Sequence, residues 1–226
     1  MTTSQSPTPV KAPAYVLSFL DRLHELSTIQ EDAVTAEDYK TEGFDNFMRD
    51  KFIALDQDKC EFVYQLCLAI NAKNIVEAGT SFGVSTIYLA LAVFNNTNKS
   101  GAASGTVIAT EWEKSKADKA REHWSVVGDK ITKCIDLREG DILETLKDGL
   151  PEVDLLLLDI WAPLALPVLK LVQPRMRRGA VVIVDNTISS SSRYKDLLNY
   201  LRASDSGFTN LTLPYTKGLE MSVYMP

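Results

Sequence analysis

Cysteine, histidine and positive charge are all scarce in this sequence of 226 residues. The three cysteines, Cys60, Cys67 and Cys134, are an odd number with no CxxC pair, which argues against a disulfide framework or a cysteine-ligated zinc centre. Lys and Arg total 24 against 30 for Asp and Glu, a net charge of −6. Without a basic stripe to neutralise phosphates, nucleic acid is disfavoured as the main partner. No apolar run approaches the roughly 18 residues of a membrane span. The opening MTTSQSPTPVKAPAYV also lacks the apolar core of a secretory signal. A reduced, cytoplasmic enzyme of ordinary globular composition is the expectation, with no membrane partner. The two histidines, His24 and His123, fall in helical patterns and read as surface or packing residues. No histidine base is therefore evident.

What is present is a change of rhythm. Residues 1–13 are rich in Ser, Thr and Pro and are expected to be a flexible tail, with 14–226 forming a single domain. From Tyr15 to Ala72 apolar residues recur at helical spacing, as in Val16, Phe19, Leu20 and Leu23 and in Phe62, Val63, Leu66 and Ile70. The glycine-containing Thr41–Phe47 interrupts that pattern. This predicts a helical N-terminal cap over 14–72. Tyr15, Phe19 and Leu23 could serve as a homodimer surface or equally as core. After Asn74, short apolar runs such as VDLLLL and AVVIV alternate with amphipathic stretches, the mark of a parallel sheet covered on both faces. The last two runs, Phe208–Leu213 and Leu219–Tyr224, are separated only by Pro214–Gly218, which predicts a hairpin. The fold class is α/β: a doubly wound, mostly parallel, seven-stranded, Rossmann-like sheet over 73–226 with an antiparallel C-terminal hairpin.

Ligands of such sheets collect beyond the carboxyl ends of the strands. The first end reads EAGTSFGVS from Glu77 to Ser85, where Gly79 and Gly83 permit a tight strand-to-helix turn. A nicotinamide site would need glycine where Ser81 stands, and Glu77 would repel a pyrophosphate while suiting a cationic ligand. The second end carries Glu111, an acidic residue able to accept both hydroxyls of a ribose. Asp141, in Glu139-Gly-Asp141, reads either as a helix N-cap or as a residue beside an adenine. The fourth and fifth ends carry Asp159, Asp185 and Asn186, a hard oxygen set suited to Mg²⁺ or a similar divalent cation.

EAGTSFGVS, ATEWE, EGDILETL, LLLLDIW, GAVVIVDN and GLEMSVY occur in the order and spacing of class I S-adenosylmethionine-dependent O-methyltransferases. From about Phe44 to Tyr224 the chain resembles, more narrowly, the catechol O-methyltransferase-like group with its microbial members. The resemblance implies transfer of a methyl group to a small phenolic or hydroxylated acceptor. It places Glu77, Gly79, Thr80, Ser81, Gly83 and Ser85 on the methionine side of S-adenosyl-L-methionine and Glu111 with Trp112 at the ribose. Gly140 and Asp141 would lie by the adenine, and Asp159 and Trp161 would border the pocket. Asp159, Asp185 and Asn186 match the metal ligands, and Glu220 falls where an acidic residue faces a substrate hydroxyl. One departure stands out: the lysine that serves as general base in the catechol enzymes is Ala162 here. That departure keeps open metal-independent O- or N-methyl transfer, and also a non-catalytic cofactor-binding protein.

Overall fold

The computed structural model describes residues 8–35, 50–98 and 105–226, so the interruption expected at Thr41–Phe47 lies outside the described residues. Two helices lead, α1 (Ala14–Asp32) and α2 (Gln57–Ala69). Then follow β1 (Asn74–Ala78), α3 (Val84–Asn98), β2 (Thr106–Glu111), α4 (Lys114–Val127), the short α5 (Asp129–Thr132) and β3 (Ile135–Glu139). The second half runs α6 (Ile142–Thr145), β4 (Val153–Leu158), α7 (Ala162–Val172), β5 (Met176–Asp185), α8 (Lys195–Arg202), β6 (Phe208–Leu213) and β7 (Leu219–Tyr224).

The seven strands form one sheet in the order β3-β2-β1-β4-β5-β7-β6. Pairing is parallel from β3 to β5, and β7 runs antiparallel to both β5 and β6. This is the doubly wound sheet with an antiparallel ending that the alternation of apolar runs predicts. The order reverses between β1 and β4, and such a reversal opens a crevice at the carboxyl edge.

Side chains alternate across a strand, so each face of the sheet has its own core. Ile75, Val107, Ala109, Leu155, Leu157, Val181 and Ile183 pack with α1, α2, α3 and part of α4. Val76, Ala78, Ile108, Leu156, Leu158, Val182 and Val184 pack with α6, α7 and α8. The central strands are buried throughout, as continuous apolar runs require.

Of the candidate dimer residues, Leu23 is core and Phe19 packs partly buried against it, with its ring edge-on to His123; Tyr15 stays exposed and donates its hydroxyl to the Val127 carbonyl. Residues 8–13, part of the expected flexible tail, run along α2: Val10 is buried and the Lys11 N–H donates to the Tyr64 hydroxyl. The cysteines are unpaired among the described residues, and no described helix is long and apolar enough to cross a membrane.

Candidate functional site at the carboxyl edge of the sheet

Strand alternation carries four acids to one corner of the molecule. Glu77 continues the row of Ile75, Glu111 that of Val107 and Ala109, Asp159 that of Leu155 and Leu157, and Asp185 that of Val181 and Ile183. All four therefore leave the tips of β1, β2, β4 and β5 on the α1–α4 face.

Glu77 is fully buried and works as the hub of the turn that follows it. Its Oε1 accepts from Ser85 Oγ (2.6 Å), and its Oε2 accepts from Thr80 Oγ1 (2.9 Å) and Thr86 Oγ1 (2.6 Å). Burial pushes its carboxyl above the usual range, and the three hydroxyls only partly oppose that. Thr110 Oγ1 donates to the Glu77 carbonyl, and the Thr80 N–H donates to the Thr110 carbonyl, so β2 holds the same turn.

Gly79 and Gly83 are both in the left-handed region, as the turn demands. A Cβ on Gly79 would stand 2.1 Å from the Asp159 carbonyl oxygen, so the turn lies directly against the tip of β4. Gly83 receives the Trp124 indole, whose Nε1 donates to its carbonyl at 2.9 Å. Glu111 closes the arrangement: its Oε2 accepts the Ser81 N–H (2.7 Å) and its Oε1 the Glu113 N–H (2.8 Å). Burial raises its carboxyl, opposed by these backbone donors and by Lys116. A carboxylate has about four acceptor sites, so Glu111 keeps capacity for further donors.

Around this corner stand two exposed indoles, Trp112 at 67% and Trp161 at 40% exposure. Gly140 donates its N–H to the Glu111 carbonyl. Asp141 is the N-cap of α6, accepting the Leu143 N–H at 2.9 Å, which is the helix-capping alternative of its two readings.

Asp159 and Asp185 follow paired positions, Leu158 and Val184, and so stand side by side at the ends of β4 and β5. Burial and the neighbouring Asp185 push the Asp159 carboxyl up to about 8. Asp185 is raised by burial too, opposed by a buried lysine. That lysine, Lys59 of α2, is the residue sequence reasoning missed. Its Nζ donates to Asp185 Oδ1 (2.7 Å) and bonds Asp56 Oδ2 (2.8 Å), with the side chain wholly buried. Burial by itself would lower its pKa, but the two carboxylates outweigh this and hold it above the ordinary lysine value. It is an ammonium at neutral pH. The signal was a charge on the apolar face of α2, one turn before Val63 and beside Cys60.

The other oxygen of Asp185, Oδ2, accepts the Asn186 side-chain amide at 2.9 Å. Asn186 itself is left-handed, with φ +60°, turning the chain off β5. Next to it, Thr187 Oγ1 is buried with no partner among the described residues. Tyr194 is buried close by and donates its hydroxyl to the Ile160 carbonyl. The three expected metal ligands thus meet at neighbouring tips. Among the described residues no group of three or more His, Cys, Asp and Glu side chains is placed to hold a metal ion, and this trio contributes two such side chains and one amide.

Glu220 requires a correction. It pairs with Val184, so it points to the α6–α8 face, opposite the four acids. There it is buried and held by three donors: Arg202 donates twice (3.0 and 2.9 Å) and Thr212 Oγ1 once (2.5 Å). It is a structural ion pair and not a residue facing a substrate.

A cleft of about 280 Å³ opens beside Asp56, lined by Asp21, His24, Glu25, Glu31 and neighbouring residues of α1 and the α2 approach. His24 is buried against the Tyr88 hydroxyl (3.0 Å), and burial lowers its pKa to about 4, so the cleft holds no histidine cation.

Residues 76–187 match a family described as a methyltransferase domain. Among characterised relatives, a catechol O-methyltransferase of Mycobacterium tuberculosis is 30% identical over 138 residues, 60% of this chain and 58% of that protein. The chain thus spans less than two thirds of that relative's length. Solved structures share the fold. An O-methyltransferase of Streptomyces achromogenes involved in tomaymycin synthesis, in complex with SAM, has a TM-score of 0.69 at 20% identity, covering 96% of this chain and 92% of its own. An O-methyltransferase from Bacillus cereus, in complex with SAH, has a TM-score of 0.67 at 19% identity, covering 92% and 90%.

Proposed function

We propose that this chain, whose residues 76–187 match a methyltransferase domain, transfers the methyl group of S-adenosylmethionine to an oxygen of a small hydroxylated or phenolic acceptor, leaving S-adenosylhomocysteine and the hydroxyl proton as products. The observation that carries the reading is the convergence of Glu77, Glu111, Asp159 and Asp185 on one face of the sheet edge, at the β1/β4 reversal.

The residues present fit the cofactor. Glu111, clamped by two backbone N–H donors, keeps lone pairs for ribose hydroxyls. The first turn of a helix lacks intrahelical acceptors for its N–H groups, so the start of α3 at Val84 suits the carboxylate of the methionine end. The exposed indoles of Trp112 and Trp161 offer flat apolar faces that also attract a cation. Glu77, Asp159 and Asp185 gather acidic groups whose ionised forms a positively charged ligand would favour. When bound, S-adenosylmethionine supplies an electrophilic methyl group on a sulfonium.

The chain's own contribution is placement and charge. Fixing the reacting atoms in line removes much of the entropic barrier of a two-partner displacement. Gly79 lets the cofactor turn rest on the β4 tip, so donor and acceptor sides share one rigid edge. Thr187 Oγ1, buried and unpartnered, supports a hydrogen bond to a ligand on the acceptor side. The cleft beside Asp56 supports an acceptor rich in hydrogen-bond donors, since its walls are acidic.

A divalent cation is a poorer fit. Both oxygens of Asp185 are engaged, one by an ammonium, and Asn186 turns its N–H toward Asp185.

The test is calorimetric titration of the EDTA-treated protein with S-adenosylhomocysteine, followed by a screen of phenolic acceptors with labelled methyl donor. Micromolar binding that weakens at least tenfold in Glu111→Ala is expected. No binding to the wild-type protein would overturn the proposal.

A further inference from the structure

We propose that the buried ammonium of Lys59 is a built-in cation at the tip of β5, holding the place that a divalent metal would otherwise occupy. The inference rests on the methyltransferase reading for its setting, but it concerns what Asp185 binds and can fail separately.

The first support is geometric. Lys59 reaches from α2 to Asp185, 126 residues away, and contacts Asp56 in the same grip, at 2.7 and 2.8 Å. Its neighbours on the buried face of α2, Cys60, Val63, Tyr64 and Cys67, are core residues. A lysine among them is retained only if its charge is matched, because a lone buried ammonium is strongly disfavoured. The second support is occupancy. Asp185 Oδ1 holds the ammonium and Oδ2 the Asn186 amide, so each carboxylate oxygen already carries a donor on the side of its neighbours.

The third support is charge placement. The position after Trp161 where the catechol enzymes carry lysine is Ala162, at the start of α7. The lysine of this corner comes instead from α2, on the face shared by Glu77, Asp159 and Asp185. A divalent ion on Asp185 would stand close to that ammonium and be repelled by it. Lys59 is accordingly a positioning residue: it fixes the orientation of Asp185.

The experiment uses the full chain stripped with EDTA, with Mn²⁺ as probe read by water-proton relaxation and S-adenosylhomocysteine read by calorimetry. Wild type, Lys59→Met, Lys59→Arg and the double variant Lys59→Met/Asp185→Asn are compared. Wild type and Lys59→Arg are expected to bind Mn²⁺ no better than the double variant. Lys59→Met is expected to gain a single Mn²⁺ site, at least tenfold tighter and lost in the double variant. Cofactor-product affinity should stay within threefold in Lys59→Arg. A purely structural lysine would produce no gained site.

A single stoichiometric Mn²⁺ site in the wild type would overturn the proposal, and that arm does not depend on any variant folding. A folded Lys59→Met protein without a gained site would overturn it as well. Failure of wild type to bind S-adenosylhomocysteine would count against the methyltransferase reading and leave the Mn²⁺ comparison intact.

Discussion

Replacing Gly79 by alanine tests whether the cofactor turn must touch the tip of β4. The added Cβ would lie 2.1 Å from the Asp159 carbonyl oxygen, 2.9 Å from its carbonyl carbon and 2.7 Å from Ile160 Cγ2. The obstacle is chiefly backbone, and it is anchored by the Asp159 N–H to Ala78 carbonyl bond at 3.0 Å. Two costs combine. Holding alanine at φ +95° costs about 1–2 kcal/mol, and forcing atoms into a filled space adds about 1–3 kcal/mol. Gly149→Ala separates them, because Gly149 also has positive φ (+71°) but its Cβ would meet only Arg138 Nη2, at 3.6 Å. Urea unfolding should therefore show Gly79→Ala destabilised by about 2–5 kcal/mol and Gly149→Ala by about 1–2. Each kcal/mol corresponds to roughly 2–4 °C in melting temperature for a chain of this size. S-adenosylhomocysteine binding should fall at least tenfold in Gly79→Ala and be unchanged in Gly149→Ala. Equal destabilisation of the two variants, with cofactor-product binding intact in both, would refute the close-approach argument.

Two further outcomes are expected. His24 is held neutral when folded, with its pKa lowered from 6.5 to about 4, so unfolding takes up a proton as pH falls below 6.5. Stability from this group is full above pH 6.5 and is lost toward pH 4. The loss amounts to about 2 kcal/mol between pH 7.5 and 5, read as the difference in urea unfolding between wild type and His24→Gln; parallel pH profiles would contradict it. Glu220→Gln should weaken the Arg202 and Thr212 contacts and cost about 1–3 kcal/mol of stability while leaving S-adenosylhomocysteine binding within twofold. A large loss of cofactor-product affinity without loss of stability would restore a direct role for that carboxylate.

Local pattern was enough to place the acids of the candidate site at strand ends. Apolar runs of strand length alternating with amphipathic stretches determine the doubly wound sheet, because buried parallel strands need apolar residues on both faces. Glu77, Glu111, Asp159 and Asp185 were legible as strand-end acids. Their common face follows from the two-residue period of each strand once the strands are in register. What the sequence leaves open is decided by contacts between distant segments. Glu220 and Leu219 differ by one position, and only the pairing of β7 with β5 determines which of them faces the acids, since a one-residue slip exchanges the faces. Lys59 reads in isolation as a stray charge on a helix. Its meaning arises when the packing of α2 against the sheet brings a buried ammonium to Asp185, where charge must be matched by charge. The acids at the edge were written in the strands; the cation among them was supplied by tertiary packing.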